Sequence, residues 1–486
     1  MDFLNIMPPQ RHCTSYLCDN DESVQAIISA VDYTGWGKIL TEVFSNDDYV
    51  EALDARLFYI THIILNCKET NVPIDTDTFL CPLAERLNVH VDELKSENIV
   101  SLKTLLHRST NRYFIKVIEK MTRGQSNNLL WFLVRSRLVT GSSVVKQCSY
   151  KPGLTNLAHN IFRPASKWEV FGRMHEPIVR NIIACFVERR PIPISSENTL
   201  GLLIDPFSGT FGASVDLCYG IEEREDGLIY VGERAHVYEI KCVARYIYNF
   251  SDVEGFLDEP TLTEFANIIK GATFPLIEHR PPGNTPSSGT HIVSHDKIFA
   301  INRKRKNIYE SNDEVKKLLS KNSDMKSTIY IMRERDLVDG PGMSLECIAS
   351  FTSNIFLNAR HKYFDQVSMQ YFVLTQHYIN DHVDPYYIEP DTLPRVSVVT
   401  ALFKTRKPGT LEHPLFINGK TYTDSAIPFA LIVTPVAFDA EVLALFLRET
   451  FNSYTQEVYQ DSRIKLWDPN FLRGFVASHR ELEKTP

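Results

Sequence analysis

Ser214-Val215-Asp216-Leu217-Cys218, followed further along by Val237-Tyr238-Glu239-Ile240-Lys241-Cys242, is the stretch on which the reading of this chain turns. Both segments are rich in β-branched and aromatic residues, the composition of strands. Side chains alternate along a strand, so Glu239 and Lys241 share one face while Ile240 and Cys242 point to the other. Two charges on one face, beside a strand that carries an aspartate among apolar residues, are costly to bury without compensation. A metal ion is the simplest compensation. Asp216 and Glu239 offer hard oxygen ligands, which suit Mg²⁺ or Mn²⁺ rather than zinc. Lys241 then stands where it can orient or deprotonate a water.

An aspartate, 22 intervening residues and then Glu-x-Lys fits the PD-(D/E)xK pattern of nucleases. The same spacing also describes an ordinary Glu239–Lys241 pair on an exposed strand, but strand-like flanks on both sides favour the metal reading. Val215 stands where the pattern has proline, a position with no part in the chemistry. A second feature lies in Arg360-His361-Lys362-Tyr363-Phe364-Asp365-Gln366, which continues to Gln370. On a helix, residues 363, 366 and 370 fall on one face, so a tyrosine and two glutamines line either a polar cleft or a solvent-facing stripe.

Outward from these segments, strands are expected at about 199–205, 211–221 and 235–244, then at 327–333, 395–404 and 429–437. Helices are expected between them, near 173–189, 262–270, 360–381 and 439–453. This alternation argues for an α/β core with a mixed sheet. Residues 20–150 read mostly as helices, including the apolar run 57–65 and Leu129–Val139. Two domains follow: a mainly helical lobe over 1–150, with a basic DNA-facing segment from about 101, and a nuclease core with a C-terminal elaboration over 151–486. Pro281–Gly289 and Asp339–Gly342 read as loops.

With 486 residues, 43% of them hydrophobic, the chain can bury a large core. It has no apolar run of about 18 residues, so no membrane span is expected, and its N-terminus lacks the pattern of a secretory signal. Nine scattered cysteines without a CxxC pair argue for a reducing compartment and against a disulfide framework or a zinc site. The net charge of −8 looks wrong for a partner of nucleic acid, but its distribution is uneven. Residues 1–100 hold 17 acidic and 6 basic side chains, whereas residues 101–190 hold 4 acidic and 16 basic. Such a local cationic surface can meet phosphates. Arg303-Lys304-Arg305-Lys306 is either a nuclear-import signal, a phosphate contact or a solvated basic loop.

The Asp216 strand, the Glu239-Ile240-Lys241 strand and the Arg360–Gln370 helix, with Gly201-Leu202-Leu203-Ile204-Asp205-Pro206, Arg123-Gly124-Gln125-Ser126 and Leu431-Ile432-Val433-Thr434-Pro435-Val436, resemble the herpesvirus alkaline nucleases. The wording is most similar to the betaherpesvirus branch, and the likeness runs from about residue 110 to 440. The resemblance implies a fold like phage λ exonuclease, in the restriction-endonuclease-like superfamily. It implies an Mg²⁺-dependent 5′→3′ DNA exonuclease, with endonuclease activity also open, active at alkaline pH, with Mn²⁺ able to substitute. Such an enzyme processes replicating viral DNA for recombination, maturation and packaging in the host nucleus, with cytoplasmic presence also open. Its partners would be duplex DNA with free ends and a viral single-strand-binding annealing protein, with no membrane. By motif, Asp216, Glu239 and Lys241 form the catalytic core, Glu176 adds an acidic metal ligand from the preceding helix, and Gln366 is the active-site glutamine. Pro177 follows Glu176, although proline belongs in a helix's first turn. Arg135, Ser142 and Ser143 lie where relatives contact substrate phosphate, though Arg137 and Gly141 depart from the family there. Gln125, Arg360 and Tyr363 are placed along the nucleic acid. Two competing functions are an RNA endonuclease contributing to host mRNA shutoff and a non-catalytic DNA-binding recombination scaffold. The second requires a broken Asp…Glu-x-Lys set, and the set is intact.

Overall fold

The computed structural model describes residues 47–95, 108–135, 138–141, 166–193, 200–272, 274–301, 312–337, 342–382 and 390–461. The candidates Ser142 and Ser143 and the 303–306 basic cluster lie outside the described residues.

Among the described residues, four α-helices precede the core: α1 (Asp47–Glu69), α2 (Asp77–Leu87), α3 (Arg108–Met121) and α4 (Leu129–Arg135). Leu57, Ile60 and Ile64 recur at helical spacing on α1 and are fully buried against Phe79, Phe114, Ile118 and Val134. Leu202, Ile204 and Leu228 belong to the same cluster, so apolar burial seats these helices on the chain that leads into the core. The helix expected to run to Val139 stops at Arg135, and Val139–Thr140 forms β1 instead.

The core then follows in order. Helix α5 (Lys167–Ile182) runs into one π-helical turn (Ile183–Glu188) and is followed by β2 (Leu203–Ile204), β3 (Phe211–Ala213), β4 (Leu217–Glu223) and β5 (Ile229–Tyr248). Next come α6 (Phe250–Asp258), α7 (Leu262–Gly271), β6 (Ile277–His279), β7 (Ile292–Ser294), α8 (Asp313–Ser323), β8 (Ser327–Asp336), β9 (Met343–Ser353) and β10 (Ile355–Leu357). The described residues end with α9 (Lys362–Asp381), β11 (Arg395–Thr405), β12 (Leu415–Ile417), β13 (Lys420–Tyr422), β14 (Ala426–Pro435) and α10 (Ala440–Asp461).

The main sheet is eight-stranded in the order β13-β12-β9-β8-β14-β11-β5-β4. It is mixed: β5 runs parallel to β11, and β12 to β9, while the other pairs are antiparallel. Central β11 and β14 are buried along almost their whole length, which is why they read as continuous apolar runs rather than alternating ones. Helices α5 and α9 pack on opposite faces of β5. Ile178, Val179 and Ile182 of α5 join Tyr238 and Ile240 in one cluster, and Val367, Phe372 and Val373 of α9 join Val237 and Val398 in another. Two three-stranded sheets flank the main one, β1-β3-β2 and β10-β7-β6.

One expectation needs correction in a way that matters for the site. The segment 211–221 is not one strand but two, with Ser214, Val215 and Asp216 between β3 and β4. Two further corrections are that among the described residues 200–205 only Leu203–Ile204 is strand, and that β5 begins six residues before the expected 235.

Candidate active site

Strand β4 pairs with β5 only as far as Leu217 opposite Tyr238. Beyond that point the neighbour of β5 is a side chain: Asp216 Oδ2 accepts the Ile240 N–H at 2.7 Å. The bond satisfies a backbone donor that would otherwise be an unpaired sheet edge, and it fixes Asp216 beside Glu239. Two contacts hold the loop around it. Gln125 donates its amide to the carbonyls of Leu200 (2.9 Å) and Val215 (3.0 Å), and Trp131 Nε1 donates to Ser214 Oγ at 3.0 Å. Gln125 thus works as a brace of the Asp216 loop, with both amide hydrogens engaged by backbone.

Glu239 is 2% exposed, and its carboxylate is wrapped by donors. Lys241 Nζ and Gln366 Nε2 (2.6 Å) donate to Oε1, and Gln370 Nε2 donates to Oε2 at 2.5 Å. Gln366 Oε1 accepts from Lys241 Nζ at 3.2 Å, closing a ring of three side chains. The stripe expected at 363, 366 and 370 therefore faces the sheet. Both glutamines reach Glu239 on β5, and Lys241 Nζ lies 4.4 Å from the centre of the Tyr363 ring. Burial alone disfavours the Lys241 ammonium, but Glu239 and Asp216 outweigh it and hold its pKa above the ordinary lysine value.

Glu176 reaches the same edge from the opposite face. Its helix α5 starts with a capping box between Ser166 and Glu169 and carries Pro177 in its interior rather than in its first turn. An interior proline costs about 3 kcal/mol. Complete burial of Ile178, Val179 and Ile182 offsets this at roughly 1.5–3 kcal/mol each. The Pro177 carbonyl accepts from Asn181 Nδ2 and the Tyr422 hydroxyl. Glu176 pairs with Arg180 one turn on, a partner the i,i+4 rule could have found from sequence.

The electrostatics tie these carboxylates together. Burial, then Glu176 and Glu239, raise the Asp216 carboxyl well above its ordinary range against the pull of Lys241 and Arg180. Burial raises Glu176 as well, with Arg180 opposing and Glu239 reinforcing the shift. Three carboxylates crowded in this way repel one another, and a hard divalent cation is the natural partner for such a set. Each acidic side chain meanwhile has a protein partner, and among the described residues no three His, Cys, Asp or Glu stand as a ready metal cage.

Arg135 stacks its guanidinium 4.4 Å from the Trp131 ring. Burial lowers its pKa to about 10, while the Glu239 charge favours the cation. Arg360 is partly buried, its Nη1 donating to the Pro286 carbonyl at 3.2 Å. No helix among the described residues is long and apolar enough to cross a membrane.

Residues 4–472 match the family model for viral alkaline exonuclease. The alkaline nuclease of elephantid herpesvirus 1 is 75% identical over 487 residues, covering the whole of both chains. Among solved structures, the KSHV SOX RNA complex superposes with a TM-score of 0.66 at 17% identity, covering 94% of this chain and 99% of that one. A SOX–DNA complex gives 0.64 at 19% identity, covering 96% and 98%. At such identities the likeness establishes the fold, the mixed α/β architecture with its helical N-terminal region. Matched to the family model across nearly its full length, and 75% identical to an alkaline nuclease, the chain belongs to the viral alkaline exonuclease family and is a nuclease.

Proposed function

We propose that this nuclease is an Mg²⁺-dependent 5′→3′ exonuclease on duplex DNA, with Mn²⁺ able to substitute. The observation that carries the reading is the convergence of Asp216, Glu239 and Lys241 at the free end of the β4–β5 pairing, with Glu176 meeting them from α5. Asp216, Glu239 and Glu176 would hold the cation, which when bound stabilises charge on the scissile phosphate and makes the attacking water more acidic. Lys241, kept as an ammonium by its carboxylate neighbours, orients that water and the phosphate. Gln366 and Gln370 hold Glu239 in one rotamer, so that it does not have to reorganise on binding. An alkaline working range would follow if formation of hydroxide at the attacking water limits the rate.

Arg135, with Ser142 and Ser143, is proposed to receive the 5′-phosphate, since a guanidinium binds phosphate in a forked manner. Arg135→Ala then costs about 1.5–3 kcal/mol on phosphorylated ends only. Arg360 and Tyr363 line the path of the strand. We further propose action in the host nucleus on replicating viral DNA, alongside a viral single-strand-binding annealing protein.

The test is digestion of 5′-phosphorylated linear duplex, circular duplex and RNA side by side, with and without Mg²⁺. The reading expects metal-dependent loss of linear duplex from its 5′ ends. Preferred cleavage of RNA would instead support the endonuclease reading, for which the fold likeness to an RNA-bound protein is the supporting observation. Substantial cleavage by Asp216→Asn or Glu239→Gln would overturn the site.

A further inference from the structure

The Lys241 ammonium is held by Glu239, by Gln366 and by the face of Tyr363. The first two belong to the carboxylate machinery. The Tyr363 ring is itself held by two others. His361 packs edge-on against it with ring centres 4.4 Å apart, and His291 packs near-perpendicular at 5.2 Å. His361 is the cap of α9, accepting the Tyr363 N–H at 3.2 Å. His291 comes from a different part of the chain. It stands immediately before β7, in the stretch after Pro281–Gly289, which shows nothing but turns in the sequence.

The His291 Nε2 lies 2.9 Å from Thr400 Oγ1, and Thr400 is the register neighbour of Lys241 across the β5–β11 pair. The contacts therefore form a closed circuit. Lys241 and Thr400 sit side by side in the sheet, Thr400 bonds His291, His291 packs on Tyr363, and Tyr363 covers Lys241. His291 is firmly placed, being 6% exposed, and its carbonyl accepts from the Asn358 N–H at 2.8 Å. Asn358 in turn donates its side-chain amide to the carbonyls of Ser287 (2.6 Å) and Thr290 (2.7 Å). Among the described residues, the arrangement reaches the proposed catalytic set through the Tyr363 face on Lys241.

We infer that His291 is a positioning residue for the nuclease reaction: bonded to Thr400 and packed against Tyr363, it fixes the aromatic face that holds the Lys241 ammonium in line with Glu239. The small β10-β7-β6 sheet is then the device that delivers this ring to the catalytic strand. The inference rests on the assignment of Lys241 to the chemistry. Burial, with His361, Lys241 and Arg245 nearby, pushes the His291 pKa down to about 3. It is an uncharged ring under working conditions, suited to propping an aromatic face beside a cation and not to carrying a proton.

The test uses the full chain and steady-state kinetics on 5′-phosphorylated linear duplex with saturating Mg²⁺. His291→Ala should lower kcat about 3- to 30-fold, the range of a lost cation–π contact, with KM within about twofold. His291→Gln, whose Nε2 can still reach Thr400, should recover part of that loss. The double variant His291→Ala/Tyr363→Ala should be no slower than Tyr363→Ala alone, because both changes remove one contact. Thermal melting checks that each variant folds. If His291→Ala does not, Thr400→Val opens the same circuit with His291 in place and should give the same fall in kcat. Additive losses, a rise in KM at unchanged kcat, or a Gln variant no better than Ala would overturn the positioning role. Lys241→Ala separates the two levels. If it keeps wild-type turnover, the lysine assignment fails, whereas an inactive Lys241→Ala beside a fully active His291→Ala refutes the positioning role alone.

Discussion

Replacing Gln370 by leucine should separate activity from stability. The Gln370 amide donates to Glu239 Oε2 at 2.5 Å and to the Ser214 carbonyl at 2.9 Å, while its own Oε1 is buried without a partner. Removing a donor from a buried carboxylate costs about 1.5–3 kcal/mol, and the Ser214 bond adds about 1 kcal/mol. Set against this, leucine deletes the unsatisfied oxygen, which is worth roughly 1–3 kcal/mol, and it fills a similar volume. The two sides nearly cancel, so the net loss of stability is about 0–2 kcal/mol, a shift of only a few degrees in melting temperature. Activity has no such compensation. Glu239 keeps its Oε1 donors but loses the one bond on Oε2, so kcat should fall about 10- to 100-fold, equivalent to the same charged hydrogen bond. The assay is Mg²⁺-dependent release of nucleotides from linear duplex, run beside thermal melting of the same preparation. A kcat within twofold of wild type would show that Gln370 does not orient Glu239. A collapse in melting temperature matching the loss of activity would show that the residue is only structural. Gln370→Glu should do worse on both counts, since it sets a carboxylate directly against Glu239.

Asp216→Asn should abolish hydrolysis yet raise the melting temperature of the EDTA-treated protein at mildly alkaline pH. Because the folded-state carboxyl is raised, its contribution to stability is full below the ordinary carboxylate range and is lost as pH climbs through the raised value. The gap between variant and wild type should therefore close on acidification, and a pH-independent gap would contradict the electrostatic account. Gly141→Ala places a Cβ 2.5 Å from Gln366 Cα and 2.8 Å from its carbonyl oxygen. The start of α9 must then shift, and activity should drop even if melting shows that the fold survives at a cost of about 1–3 kcal/mol. Gly201→Ala brings a Cβ to 1.9 Å from the Glu119 carbonyl oxygen, an overlap with rigid helix backbone. It should destabilise by about 3 kcal/mol or more, and chemical denaturation at wild-type midpoint would refute the close approach.

The elements of the candidate site were legible because their information is local. Alternation along β5 placed Glu239 and Lys241 together, and helical spacing put Tyr363, Gln366 and Gln370 on one face. Both statements depend only on residues within one element, and the structure shows both. For Glu176, Pro177 argued against its helix because the burial that offsets an interior proline lies in contacts with β5 that no local pattern reveals. The same limit explains Asp216. Its apolar flanks read as continuous strand, whereas the structure breaks the strand so that the carboxylate, rather than another strand, meets the Ile240 N–H.

What the sequence determined by itself is local placement: the face that Glu239 and Lys241 share, and the helix face that carries Tyr363, Gln366 and Gln370. Periods of 2 and 3.6 residues are properties of the backbone and need no partner to be read. Which strands neighbour one another was decided only by the tertiary structure. So was the bracing of the Asp216 loop by Gln125 and Trp131, and the arrival of His291 beside Thr400. These contacts join residues 83 to 109 positions apart, and they exist because apolar faces on separate elements had to be buried against each other. The polar groups carried into that packing then had to find partners or remain unsatisfied at a cost.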